Sequence, residues 1–270
     1  MRIKMQWEVL ESPAIIPLSY KYEISSWLYK LMASGNSPFA TFLHEKGYEM
    51  GHRKFKFFTF SDLSIPRSGR EIWKDRLVIH APYAQLTLSV FIPQLTQALL
   101  AGSFSNEEFS IGDRVSKGRF RLSSIQASPL PPLSSPLKLR TDSPLVVDTF
   151  NPERPESHQY LHPEHELFGK VLLQNLLNKY QTAQIHGLTD KILYAPELAF
   201  RLLDHRSPKR KTILIKAHTR QAHRVVGYFC DFEITAPPLL LQFGLLAGLG
   251  NKNAQGFGFV NPIYQLQTTS

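Results

Sequence analysis

Residues 248 to 260 read GLGNKNAQGFGFV, four glycines and a lysine in thirteen positions. Glycines at that density let a backbone approach an anion closely while its amides point at it, so phosphate binding is the first chemistry the loop suggests. The nucleotide fingerprints do not fit. A P-loop needs G-x-x-x-x-G-K-[ST], and neither the spacing of Lys252 nor a following Ser or Thr matches; a dinucleotide fingerprint needs a strand before the loop and a helix after it, the reverse of the order expected here. What remains is G-x-G-x5-G-x-G, framed by Gly248, Gly250, Gly256 and Gly258, with Asn251, Lys252 and Asn253 at its tip. One glycine serves as a helix C-cap, and four exceed what a cap requires.

A second stretch, residues 205 to 224, holds Arg206, Lys209, Arg210, Lys211, Lys216, Arg220 and Arg224 with no acidic residue. Backbone phosphates are natural partners for such a segment; a solvated basic hairpin is the plainer alternative. The formal net charge of +9 favours attraction to a polyanion, nucleic acid or an anionic membrane face. His158, His162, His165 and Glu166 look at first like metal ligands, but Pro163 belongs in the first turn of a helix and separates His158 from the others, so no metal is expected. His80, His186, His205, His218 and His223 have no ligand spacing. No G-x-S-x-G elbow or H-E-x-x-H motif occurs, and the single cysteine, Cys230, sits among Tyr228, Phe229 and Phe232 as a buried thiol with no disulfide partner. The opening MRIKMQWEVL lacks an apolar leader core, and no apolar run is long enough to span a bilayer, so a cytoplasmic protein is expected.

These residues must be carried by regular elements. Ile3, Met5, Trp7 and Val9 alternate as a strand; Ile24, Leu28 and Leu31 have helical spacing; FKFFTFSDL and the region from Leu77 to Phe91 read as extended; PQLTQALLAG reads as a helix and RFRLSSI as a strand. That order is β-α-β-β-α-β. Residues 129 to 143 are rich in proline and serine and read as a linker between domains at 1–128 and 144–270. Beyond it SPLVVDT is an expected strand, His162 to Tyr180 a helix with Phe168, Val171, Leu172 and Leu176 on one face, KTILIKA and RVVGYFCDFEI a strand pair, PPLLLQFGLLAG a helix and GFGFVNPIY the closing strand. The expectation is an α+β chain of tandem ferredoxin-like (RRM-like) domains with a C-terminal glycine-rich loop.

The terminal GLGNKNAQGFGFV between the last helix and the last strand, with LYKLM, FATFLHEKG and KFFTFSDL near the N-terminus, resembles the CRISPR repeat-specific endoribonucleases, the RAMP-type "Cas six" family. The resemblance covers both ends and the tandem pattern. It implies that the loop lies against repeat RNA, that no cofactor is needed, and that a Tyr, His and Lys of the first domain do the chemistry: Tyr29 in LYKL, His44 in FLHE and Lys56 in KFFTFS. RNA can be cut without metal because its own 2′-hydroxyl can attack the adjacent phosphate; the protein must remove that proton, offset developing charge and protonate the leaving 5′-oxygen. Tyr29 falls on the flank of the first helix's apolar face. His44 falls in the last turn of a short helix that opens at Ser37-Pro38, where a helix C-terminus favours imidazolium; this suits a general acid, with the base role open. Lys56 would stabilise charge at the phosphate, with His52, Arg53 and Lys54 as competitors.

The function implied is metal-independent cutting of precursor CRISPR RNA to a 2′,3′-cyclic phosphate product. Gly248, Gly250, Gly256, Gly258, Asn251, Lys252, Asn253, Lys209, Arg210, Lys211, Arg220 and Arg224 would hold the RNA, effector-complex subunits would be further partners, and the chain would act as monomer or homodimer. The rivals are a non-catalytic repeat-binding subunit of an effector complex and a general RNA-binding module.

Overall fold

The computed structural model describes residues 1–105, 107–150, 158–190, 197–204, 206–217 and 219–264. The first half runs β1 (Arg2–Val9), β2 (Ala14–Pro17), α1 (Lys21–Gly35), α2 (Ser37–Glu45), β3 (Tyr48–Met50), β4 (Arg53–Phe55), β5 (Phe58–Phe60), β6 (Arg70–Trp73), β7 (Arg76–Ile79), β8 (Tyr83–Val90), α3 (Pro93–Ser105), β9 (Glu108–Gly112) and β10 (Lys117–Ser128). Its main sheet is antiparallel in the order β5-β8-β1-β10-β9. Strands β1, β5, β8 and β10, with α1 and α3 between them, are the expected β-α-β-β-α-β unit, and β9 extends its edge. Ile3, Met5 and Trp7 alternate inward from the central strand with no exposed surface. The small β2-β7-β6 sheet and the β3–β4 hairpin lie outside that unit.

The second half runs β11 (Leu137–Thr141), β12 (Asp148–Phe150), β13 (His158–Tyr160), α4 (Leu167–Ile185), β14 (Ala199–Leu202), β15 (Lys209–Ile215), β16 (His223–Phe229), β17 (Asp231–Thr235), α5 (Pro238–Ala247) and β18 (Val260–Pro262). Its sheet, β14-β17-β11-β18, repeats the strand order of the first. Three expectations need correction here. The opening strand is Leu137–Thr141, inside the segment expected to be a linker, and not SPLVVDT, whose Leu145, Val146 and Val147 are buried in a connecting stretch. The prolines flank LKLRT without interrupting it, so Leu137, Leu139 and Thr141 still alternate inward. The KTILIKA and RVVGYF segments do pair, from Lys209↔Phe229 to Ile215↔His223, but as a hairpin separate from the sheet. The sheet instead uses β14 and β17, the chain breaking between β16 and β17 at Cys230, which is buried with its thiol pushed up to about 12.

One core runs through both halves. Phe243 of α5 packs edge-on against Phe57 and Phe91 of the first half at 5.6 and 4.7 Å between ring centres, and against Tyr180 of α4 at 5.2 Å. Among the described residues no helix is long and apolar enough to cross a membrane.

Candidate functional site

Helix α2 is built to end at a defined place. The Asn36 side chain accepts the Phe39 amide at 3.1 Å as its N-cap, Pro38 enters in the first turn, and Gly47 turns the chain away with φ +69°. His44 lies in the last turn, exposed, where the final carbonyls of a helix lack intrahelical partners. Lys56 supplies them: its Nζ donates to the carbonyls of Leu43 and His44. The same Nζ lies 5.5 Å from the centre of the Tyr29 ring, and that ring meets His44 edge-on at 4.9 Å and Phe58 at 6.0 Å. The fold therefore brings Tyr29, His44 and Lys56 together from α1, α2 and the link between β4 and β5.

Burial sets the protonation of two of them. It raises the Tyr29 hydroxyl well above its ordinary value, leaving a neutral donor at physiological pH. It pulls Lys56 down to about 8, with Lys54 adding repulsion. The competitors sit differently: Lys54 is exposed and paired with Glu49 at 2.9 Å, Arg53 is exposed on β4, and His52 is exposed in the β3–β4 turn with no hydrogen bond among the described residues.

Across a cleft of about 220 Å³ from Lys54 and Lys56 stands the tip of the glycine-rich loop, with Asn251, Lys252 and Asn253; among the described residues no acidic side chain lines the space. The loop is a rigid, internally bonded structure. Gly248, Gly250, Gly256 and Gly258 are buried at positive φ, and the amides of Gly248, Gly256 and Gly258 donate to the carbonyls of Gly244, Asn253 and Pro144. A side chain at Gly256 would meet the Phe60 ring 2.2 Å away, so this residue type lets the loop lie flat on the first sheet. The contact is fastened by Lys21 Nζ to Gly256 O at 2.7 Å, Ser25 Oγ to Ala254 O at 2.8 Å and Thr59 Oγ1 to Phe257 O at 2.8 Å. Lys21 also pairs with Asp62 at 2.5 Å. Phe257 and Phe259 are core residues, as is Phe57, while Phe55 is half-buried.

Beneath the loop sits Lys179 of α4, fully buried, donating to Gly248 O at 2.8 Å, Gly250 O at 2.5 Å and Asn253 Oδ1 at 2.5 Å. Asn253 Nδ2 in turn donates to Leu249 O and Phe257 O. Asn251 is held from two sides, donating to Asp148 and accepting from Asn175. Sequence reasoning passed over Lys179 and Lys21. A signal existed for the first: Lys179 falls in line with Leu172 and Leu176 on the apolar face of α4, where a lysine needs a reason.

The basic hairpin projects from this body. Lys209, Arg210, Arg220 and Arg224 are exposed and Lys211 is half-buried, while Ile213, Ile215 and Val225 pack inward on Val146 and Phe257. Its tip, at Lys216, Ala217 and Thr219, faces α1. The histidines considered as ligands take local roles: His162 Nδ1 accepts the Glu164 amide and His165 Nδ1 the Leu167 amide. The His158 side chain, His205 and His218 lie outside the described residues.

Comparison with known proteins bears on the fold and the family. The model for CRISPR associated protein Cas6, C-terminal, matches residues 129–262, and that for the Cas6 N-terminal region matches residues 15–125. The CRISPR-associated endoribonuclease Cas6 1 of Methanocaldococcus jannaschii is 28% identical over 261 residues, 96% of this chain and 92% of its own length. The solved product of a Cas6-related gene from Pyrococcus furiosus superposes with a TM-score of 0.79 at 24% identity, covering 98% of this chain and 99% of that one. A solved RAMP protein described as binding different RNA substrates gives 0.77 at 24% identity, over 98% and 100% of the two chains. With both halves matched by models of one family and the tandem ferredoxin-like fold shared along nearly the whole length, this chain belongs to the Cas6 family of CRISPR-associated proteins.

Proposed function

We propose that this chain is an endoribonuclease that binds the repeat of precursor CRISPR RNA and cuts it by attack of the RNA's own 2′-hydroxyl on the adjacent phosphate, with no metal ion in the step. The observation that carries the reading is the convergence of Tyr29, His44 and Lys56 beside a cleft that, among the described residues, no acidic side chain lines. The 2′-hydroxyl gives its proton to solvent water as its oxygen bonds to phosphorus, and His44 donates the proton that the leaving 5′-oxygen takes up as its bond to phosphorus breaks, giving a 2′,3′-cyclic phosphate and a 5′-hydroxyl. The Lys56 ammonium, fixed by two helix carbonyls, and the neutral Tyr29 hydroxyl donate to the phosphate oxygens as charge builds. Lys252 holds the strand on the far wall of the cleft, where Asn251 and Asn253, already bonded within the protein, fix the position of the loop tip. The glycines shape that wall, and Lys209, Arg210, Lys211, Arg220 and Arg224 contact phosphates further away.

The test is incubation with repeat RNA in EDTA beside a substrate carrying one 2′-deoxy at the cut position. Cutting at a single site, abolished by the deoxy, is expected. Tight binding of intact RNA without any cut would instead favour a non-catalytic repeat-binding subunit.

Lys56 also gives the rate a pH limb. Its charged form is the useful one, and with its value drawn down to about 8 that form is lost as pH rises through 8 rather than 10.5. Single-turnover rates, corrected for hydroxide cleavage of RNA, are expected to fall about tenfold per pH unit above that point. Lys56→Arg, which keeps its charge, moves the fall to higher pH. An identical alkaline limb in both proteins would remove Lys56 from the phosphate.

A further inference from the structure

On the neighbouring face of α1 from Tyr29 lies a larger cleft of about 590 Å³, closed on its other sides by β9, the β9–β10 turn and the tip of the basic hairpin. Its rim carries Lys30, Arg114, Lys117 and Lys216, while two of its acids, Glu108 and Asp113, are paired with Arg121 and Arg76 at 2.7 Å each; its wall is aromatic, with Tyr22 half-buried and Phe109 stacked on Trp27 at 4.3 Å. The third acid, Glu23 in the first turn of α1, takes a hydrogen bond from its own backbone amide but has no side-chain donor among the described residues. Glu23 is half-buried in the lining, and its Oε2 is shut from solvent with no hydrogen-bond partner among the described residues. Arg76, whose charge reaches Glu23, pairs instead with Asp113 at 2.7 Å and Asp75 at 3.2 Å. A carboxyl oxygen left without a donor in an aromatic-walled cleft rimmed by Lys30, Arg114, Lys117 and Lys216 is badly placed for stability and well placed for a ligand that brings donors and negative charge together.

We infer that this cleft is a base-reading pocket for one guanine of the bound RNA strand, held edge-on by the Glu23 carboxyl, against the rings of Tyr22 and Phe109, with its phosphate on the rim of Lys30, Arg114 and Lys117. The inference rests on the RNA-cutting reading above. Guanine is singled out because its Watson–Crick edge carries two N–H donors side by side, matching the two oxygens of a carboxyl, whereas the other bases set a donor beside an acceptor there. Burial also raises the Glu23 carboxyl to about 7, which lowers the cost of holding it in the empty cleft. Six residues separate Glu23 from Tyr29, about 9 Å along the helix axis. A guanine read here therefore lies within a short run of the same strand from the phosphate to be cut, so the pocket fixes register as well as sequence.

The experiment selects bound RNA from a repeat randomised at every position, with the wild type, Glu23→Gln and Tyr22→Ala. The wild type is expected to enrich guanine at one position, roughly ten- to hundredfold over the other bases. Glu23→Gln, similar in shape but presenting one donor and one acceptor, loses that preference and binds the native repeat roughly ten- to hundredfold more weakly. Tyr22→Ala weakens binding with the base preference retained. Identical profiles for wild type and Glu23→Gln, with normal cutting by both, would overturn the pocket and leave the nuclease reading intact. A wild type that neither binds nor cuts the repeat overturns both. If guanosine monophosphate binds with Glu23 dependence but no guanine position emerges from the selection, the pocket serves a free nucleotide and the inference fails.

Discussion

Alanine at position 44 is expected to slow single-turnover cleavage about 10²- to 10⁴-fold, the usual contribution of a positioned acid or base, while repeat affinity stays within about twofold. The separation follows from what the His44 side chain does and does not hold. It is exposed, and its ring meets Tyr29 at 4.9 Å with no side-chain hydrogen bond among the described residues; the α2 terminus is tied to Lys56 through backbone carbonyls that alanine retains. The fold loses at most a histidine at a helix C-terminus, about 0.3–1 kcal/mol. His52→Ala, in the β3–β4 turn, serves as the control and is expected to cut normally. Quenched-flow rates for the three proteins with the same saturating RNA decide it, and cutting by His44→Ala within threefold of wild type would remove this residue from the chemistry.

Much of the first half was legible because its signals are local. Alternation in β1, the helical spacing of α1 and the cap before α2 each lie within a few residues of one another, and each element formed where its pattern lay. In the second half the signals compete. Five residues of good alternation at Leu137–Thr141 are surrounded by prolines and read as linker, whereas the more hydrophobic β15 and β16 look like sheet strands and fold as a separate hairpin. Strand membership is a long-range choice that composition cannot express. Tyr29, His44 and Lys56 were reachable through resemblance, residue by residue, but their meeting depends on Lys56 reaching back to the end of α2, a contact across twelve and thirteen positions. The glycine-rich loop shows a similar limit. Its sequence suggests amides offered to an anion, while the fold spends the amides of Gly248, Gly256 and Gly258 inside and leaves the polar tip facing the cleft.

Replacing Lys179 with methionine is expected to cost about 3 kcal/mol of stability and to lower repeat affinity by about tenfold, although the residue touches no RNA in this reading. Three acceptors converge on its Nζ, and methionine would leave Gly248 O, Gly250 O and Asn253 Oδ1 buried without that donor, at about 1–3 kcal/mol each. Relief from burying an ammonium returns part of this, so the net falls below the sum. The sign of that relief is testable. Burial pulls Lys179 down to about 7 from an ordinary 10.5, so between those values the unfolded chain binds more protons than the folded one. Wild-type stability therefore gains from this group as pH rises from about 7 toward 10, and Lys179→Met lacks the gain; the difference between the two urea midpoints should widen across that window. Lysine 252 provides the contrast, since it stands half-exposed at the loop tip and holds nothing together, so Lys252→Ala is expected to weaken RNA binding with its urea midpoint unchanged. If Lys179→Met matches wild type in stability and Lys252→Ala does not, the cation that organises this loop has been misidentified, and the cleft wall owes its shape to the glycines and to Lys21 from the other side.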